Sequence, residues 1–341
     1  MYSIGLDVSK SSISVHIPYN AADIEIDNTI KGLRGLYAKL KKLYKREIDN
    51  VVFVYEPTGS YSIILDRFCH EKGIKAFVVN PKQSSNFAKA TGERNKTDRA
   101  DARVLSQAIA IAKEGQIKVP PYHVVAQEIA ELMSYYRFTI KQRVKANNHL
   151  ESLTAKEGSS YAIKELKKRI ASFKKQETEI LAHMKSIVAK EDTFQEGFEN
   201  IKSIPGIGDV AALVLLHLFI RYENANRAQV VSLAGLDPIE RSSGSSLRSR
   251  TKISKAGARV YRGILFMAAM VAIRHNDEMK AFFTHLKDSG KHTTVAQVAV
   301  MRKLLVIAHA LYKRNEKYNT QRYRLHSGAV SKKSEEEKSA A

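Results

Sequence analysis

Apolar positions in the first eighty residues fall in short runs broken by turn-forming residues. Ile4 to Asp7, Ser12 to Ile17 and Ile24 to Asn28 predict three strands, joined through Lys10-Ser11 and Tyr19-Asn20-Ala21. Leu33, Leu36, Leu40 and Leu43 then recur at helical spacing and predict a helix over Gly32 to Lys45. Val51 to Tyr55 is almost wholly apolar, as in a strand buried on both faces. Gly59 to Cys69 predicts a second helix and Lys75 to Val79 a fifth strand, closed by Asn80-Pro81. Thr97 to Glu114 predicts a further helix, ended near Gly115 and Pro120-Pro121.

From Val124 the pattern changes. Val125 to Lys156 has neither Pro nor Gly, and Ala162 to Lys190 places Ile163, Leu166, Ile170, Phe173, Ile180, Met184 and Ile187 at helical spacing. Two long helices turning back near Gly158-Ser159-Ser160 fit, either as a spacer or as a coiled-coil dimer arm with imperfect heptads. Ser203-Ile204-Pro205-Gly206-Ile207-Gly208, before an apolar helix from Val210 to Leu218, has a helix-hairpin-helix signature. Such a turn is either purely structural or offers backbone N–H groups to a phosphate. Arg241 to Arg262 holds seven basic residues and no acid, with small hydroxyl residues from Ser242 to Ser246. That loop is either a solvated basic segment or one that approaches a phosphate closely. The apolar helix Ile264 to Ile273 anchors it in a folded domain. The layout expected is an α/β domain over 1–122, a helical arm over 123–193, a mainly α domain over 194–321 and a polar, disordered tail over 322–341. Three strands followed by alternating helix and strand resemble the ribonuclease-H-like fold.

Charge narrows the function. With 56 basic and 35 acidic residues the chain carries +21, which points to a polyanion partner. No apolar run approaches the ~20 residues of a spanning helix, so no membrane is expected. The N-terminal strand carries Asp7 and Lys10 and does not read as a signal peptide. Cys69 is the single cysteine, which excludes a disulfide framework or zinc cluster and fits a reducing cytoplasm.

Four acids carry the candidate chemistry. Asp7 ends the first strand and Glu56 the fourth, where Pro57 stops it. Asp98 and Asp101 open a helix three residues apart, on one face. Singly, each fits a solvated strand end or a helix-start charge. Gathered, they would repel and raise a pKa unless a cation neutralised them, and hard ions such as Mg²⁺ (or Mn²⁺) take such oxygens. Arg94 and Lys96 lie just upstream. Arg241, Arg248, Lys252 and Lys255 flank the serine-rich loop; all six are candidate phosphate contacts.

Read in order, Gly5-Leu6-Asp7-Val8-Ser9-Lys10, Glu56-Pro57-Thr58-Gly59, Asn95-Lys96-Thr97-Asp98-Arg99-Ala100-Asp101-Ala102, Ile204-Pro205-Gly206-Ile207-Gly208, Ala234-Gly235-Leu236-Asp237-Pro238 and Ser243-Gly244-Ser245-Ser246 with Ser254-Lys255-Ala256-Gly257 resemble the transposases of the insertion sequence one-ten family. That family includes the Piv-type DNA invertases, and the match runs from about residue 1 to 320. The resemblance implies an N-terminal domain like the RuvC Holliday-junction resolvase. Its Asp-Glu-Asp-Asp tetrad falls on Asp7, Glu56, Asp98 and Asp101 and binds Mg²⁺. It implies a mainly α C-terminal transposase domain with a nucleophilic serine, placed at Ser243 by its spacing from Ala-Gly-Leu-x-Pro, with Ser242 adjacent. It further implies a structured bridge RNA that pairs with donor and target DNA, and a dimer-to-tetramer assembly with composite sites. Two alternatives stay open on the residues alone. A RuvC-like nuclease hydrolysing DNA with a metal-bound water needs no Ser243, and a non-catalytic nucleic-acid binder needs no tetrad.

Overall fold

The computed structural model describes residues 1–92, 97–113, 115–240, 242–243, 247–248 and 252–322, with backbone alone at 242, 243, 247 and 248. The chain divides into two compact units, Met1–Tyr122 and His123–Ala341. The predicted disordered tail, beyond Arg322, lies outside the described residues.

The first unit is a five-stranded sheet. Its strands are β1 (Tyr2–Val8), β2 (Ser12–Ile17), β3 (Ala22–Asp27), β4 (Val51–Tyr55) and β5 (Lys75–Val78), in the order β3-β2-β1-β4-β5. β2 runs antiparallel to both β1 and β3, whereas β4 and β5 run parallel to β1. α1 (Ile30–Tyr44) and α2 (Ile63–Lys72) follow β3 and β4. Leu33, Leu36, Leu40, Leu65 and Phe68 from these helices share one core with Ile4, Leu6, Val8, Phe53 and Tyr55. The opposite face is smaller: Val52, Val54 and Phe77 pack with Leu105 and Ala108. All five residues of β4 are buried, as expected for a strand covered on both sides.

Local chemistry moves several boundaries. Gly59–Ser62 is a 3₁₀ turn before α2, so the predicted helix over 59–69 starts four residues later. α3 (Pro81–Ala90), which the apolar pattern does not announce, starts from Asn80, whose side chain accepts from the Lys82 N–H. Proline suits its first turn, where an N–H would lack a partner anyway. α4 (Asp98–Gln107) is shorter than predicted and runs on as a 3₁₀ segment, Ala108–Ile111.

The second unit is helical. α5 (Val124–Ala155) and α6 (Ser160–Val188) form the long hairpin, and Arg143 meets Glu177 across it at 2.6 Å. α7 (Asp192–Lys202), α8 (Asp209–Arg221), α9 (Arg227–Leu233), α10 (Arg259–His275), α11 (Asp277–Asp288) and α12 (Thr293–Arg314) complete it. Ala126, Ile129 and Met133 of α5 and Ile180, Met184 and Val188 of α6 belong to the same core as α7–α12. The root of the hairpin is thus part of this unit, and its apolar stripe finds partners within the chain. Among the described residues α12 alone is long and apolar enough, by length and composition, to cross a membrane, although Arg302 and Lys303 interrupt its apolar run. Its Val300, Leu304, Leu305, Ala308 and Leu311 lie in this core instead.

Among the described residues between α9 and α10, four two-residue strands form two antiparallel pairs. β6 (Pro238–Ile239) pairs with β9 (Lys252–Ile253), and β7 (Ser242–Ser243) pairs with β8 (Leu247–Arg248). Among its described residues the predicted basic loop is therefore paired as an arm, and α10 begins five residues before the predicted helix.

Candidate active site

Strand alternation puts the first two acids on one face. Ile4, Leu6 and Val8 point to the α1–α2 core, so Gly5 and Asp7 point the other way. In β4, Val52 and Val54 take that same opposite face, and Glu56 follows with the same parity. Gly5 is paired with Val54 and Leu6 with Tyr55, so Asp7 and Glu56 lie next to each other where the two parallel strands end.

α4 brings the other two. Asp98, Asp101, Ala102 and Leu105 share one helix face by spacing, and Leu105 is buried against Val52 and Val54. A Cβ on Gly5 would lie 2.6 Å from the Ser106 nitrogen and still nearer the Ala102 carbonyl oxygen, so α4 rests directly on β1 at that residue. One helical turn back from Ala102 spans about 5.4 Å, and two strand residues on from Gly5 about 6.6 Å. Asp98 thereby comes level with Asp7. Thr97 caps the helix, accepting from the Ala100 N–H at 3.2 Å.

The electrostatics report the gathering. Burial first, then the charges of Asp98, Asp101 and Glu56, push the Asp7 carboxyl up to about 6. Glu56 is held by the buried Ser84, whose hydroxyl donates to it. Among the described residues no three such groups converge closely enough to hold an ion as their side chains stand. The tetrad shares a field without forming a closed ligand set. A half-buried carboxyl raised by the charges of three others still fits a site that takes a hard cation. On its outer side α4 is pinned to the sheet edge by Arg103, which donates to Asp23 of β3. Asp23 also meets His16 Nδ1 of β2 at 2.7 Å. Arg103 first, then His16, holds the Asp23 carboxyl down at about 2.

In the second unit Ser243 sits in β7 opposite Leu247, towards the far end of the arm, and Ser242 faces Arg248. Lys252, in β9, and Lys255, just beyond it, are exposed. Arg94, Lys96 and Arg241 lie outside the described residues, as do the side chains of Ser243 and Arg248.

Two transposase family models match the chain. A DEDD-type IS110 transposase model covers residues 4–155, and the Transposase IS116/IS110/IS902 family covers residues 198–284. The chain belongs to the IS110 family of transposases. Among its relatives are the pilin gene-inverting proteins of Moraxella bovis and Moraxella lacunata. Each is 24% identical over 327 residues, spanning 93% of this chain and 97% of the relative. This IS110-family protein is accordingly an enzyme, a DNA recombinase or transposase.

Beside the tetrad the structure places residues that the apolar pattern leaves unmarked. Ser84 is one, and its sole signal was the Asn80-Pro81 helix start. The Asp23–His16–Arg103 set is another, brought together from three elements. The hairpin at Pro205-Gly206 serves packing: Gly206 has φ 105°, and a Cβ there would lie 2.6 Å from that of Ala272 in α10. The N-terminal end of α8, for which a phosphate contact is one of two readings from sequence, carries Asp209. That carboxylate is already paired with Lys185 at 3.0 Å and Lys202 at 2.8 Å.

Proposed function

We propose that this transposase is an RNA-guided, site-specific DNA recombinase that breaks and rejoins strands through a serine–phosphate ester at Ser243, with Asp7, Glu56, Asp98 and Asp101 as the metal-binding tetrad. The observation that carries the reading is the placement of Asp7 beside Glu56 at the ends of two paired parallel strands, with α4, which bears Asp98 and Asp101, resting on β1 at Gly5. The strand order β3-β2-β1-β4-β5, with only β2 reversed, supports a ribonuclease-H-like, RuvC-like first domain.

Mg²⁺ or Mn²⁺ held by the tetrad would neutralise charge on phosphate oxygens. The protein's own groups do the rest. Ser84 fixes Glu56, and Gly5 lets α4 carry Asp98 and Asp101 to Asp7. The Ser243 hydroxyl gives up its proton and its oxygen bonds to phosphorus. The bond from phosphorus to the leaving deoxyribose oxygen breaks, and that oxygen takes up a proton. The ester keeps the phosphodiester's energy, so rejoining needs no ATP. Lys252 and Lys255, with Arg94, Lys96, Arg241 and Arg248, supply positive charge for the DNA backbone. Recognition of sequence is assigned to a bridge RNA, to which a +21 chain is electrostatically suited. Assembly as a dimer or tetramer in the cytoplasm is part of the reading. Its support is the exposed Tyr135, Phe138 and Val144 on α5 rather than the covered stripe of α6.

The test is to trap the protein on DNA, digest the adduct and map the phosphate ester, with sequencing of co-purified RNA. Phosphate on Ser243 and a discrete structured RNA support the reading. Metal-dependent hydrolysis with no adduct would instead favour a RuvC-like nuclease.

A further inference from the structure

We propose that Asp237, Ser254 and Arg262 form a clasp that fixes the root of the β6–β9 arm and so positions Ser243 for reaction. The inference rests on the assignment of Ser243 as nucleophile, yet the clasp is built from residues other than that serine.

The arm leaves the second unit after Asp237 and re-enters it at Ser254. These two residues are joined twice. The Ser254 N–H donates to the Asp237 carbonyl at 2.8 Å, and the Ser254 hydroxyl donates to the Asp237 carboxylate. The same hydroxyl oxygen accepts from the Ala256 N–H at 3.2 Å, which sets the chain turning back towards α10. One step inward from the arm, the Lys255 N–H donates to the Gly235 carbonyl at 3.1 Å, with Lys255 at φ 54°. A lysine held in the left-handed region is strained, and it persists only where its surroundings over-determine it.

Arg262 closes the ring from α10. Its Nη1 donates to the Ala234 carbonyl at 3.0 Å and to the Gly257 carbonyl at 2.7 Å, one on each side of the root. The two segments touch so closely that a Cβ on Gly257 would meet the Leu233 carbonyl oxygen and lie 2.7 Å from the Gly235 nitrogen. Below the clasp, Leu236 is buried and belongs to the core of the second unit. The motifs 234–238 and 254–257 are thus two halves of one hinge-free joint. Two-residue strand pairs hold little stability by themselves, so the direction of the arm is set at this joint. A nucleophile displaced by about 1 Å costs on the order of 100-fold in rate, which gives such a joint catalytic leverage without touching substrate.

The experiment uses the full-length protein with its co-purified RNA. Ser254→Ala, Ser254→Thr, Arg262→Lys and Ser243→Ala are compared by amide exchange across residues 238–253, DNA binding and single-turnover strand cleavage. For Ser254→Ala the expected result is at least tenfold faster exchange in the arm. Cleavage should fall about 10- to 100-fold with DNA affinity within about twofold. Ser254→Thr keeps the hydroxyl and should restore both readouts. Unchanged exchange or unchanged cleavage in Ser254→Ala overturns the clasp, as does an equal loss in Ser254→Thr. Should Arg262→Lys fail to fold, the Ser254 pair decides alone. If Ser243→Ala cleaves normally, the nucleophile is misassigned, a result separate from the exchange data.

Discussion

Gly5 lies directly under α4, with the Ala102 carbonyl where a side chain on Gly5 would begin. Gly5→Ala should therefore lift the helix that carries Asp98 and Asp101. A loss of about 2–3 kcal/mol is expected, together with loss of DNA cleavage. Urea denaturation checks the first and a nicking assay the second; wild-type values in both would mean that α4 need not rest on β1.

Asp7 should couple stability to pH in a defined direction. Its folded carboxyl titrates at about 6, above the ordinary 3.8. The unfolded chain gives up this proton first, so stability is lost as pH rises from about 4 to 6 and stays lost above. The full shift would amount to about 3 kcal/mol, reduced to about 1 by solvent around a partly exposed group. Asp7→Asn should raise stability at pH 7 by that amount in metal-free buffer and flatten the pH profile. It should also abolish cleavage and the stabilisation that Mg²⁺ or Mn²⁺ gives the wild type. Thermal melts with and without metal provide the check, and an identical metal response in the variant would remove Asp7 from the site.

Ser243→Ala should stop both nicking and adduct formation while leaving RNA binding at the wild-type level. Phosphate ester mapped to Ser242, or to no serine, would place the nucleophile elsewhere.

Binding to DNA and RNA should weaken steeply with salt, each duplex phosphate contact adding about −0.9 to the log–log slope. Changing the exposed Lys252 and Lys255 to Ala should flatten that slope without altering which sequence is chosen. A sequence preference that shifts in the double variant would assign base reading to the protein.

Met184 lies fully buried in the core that joins α6 to α7–α12. Met184→Ala should cost about 3 kcal/mol in the unfolding of the second unit. A change well under 1 kcal/mol would show that the hairpin root is not part of that core.

Hydrophobic periodicity by itself determined the five strands and the long hairpin, because period-2 and period-3.6 burial are local properties of the chain; that Asp7 and Glu56 share a face was decided by the register of β1 on β4, since β4 is buried on both sides. Asp98 and Asp101 were likewise legible as one face of a helix start. Only the tertiary structure decided that this face meets Asp7, since that depends on Gly5 offering no side chain under Ala102, a contact across almost a hundred residues. The arm behaved similarly. A run of basic and hydroxyl residues reads as a loop, because two-residue strand pairs leave no periodic trace, and its root is fixed by Arg262 and Ser254 reaching carbonyl and carboxylate groups on another segment. The turn at Gly206 reads in sequence as either a structural turn or a phosphate contact. Its packing against Ala272 and the ion pairs of Asp209 come from neighbours that the local motif does not contain.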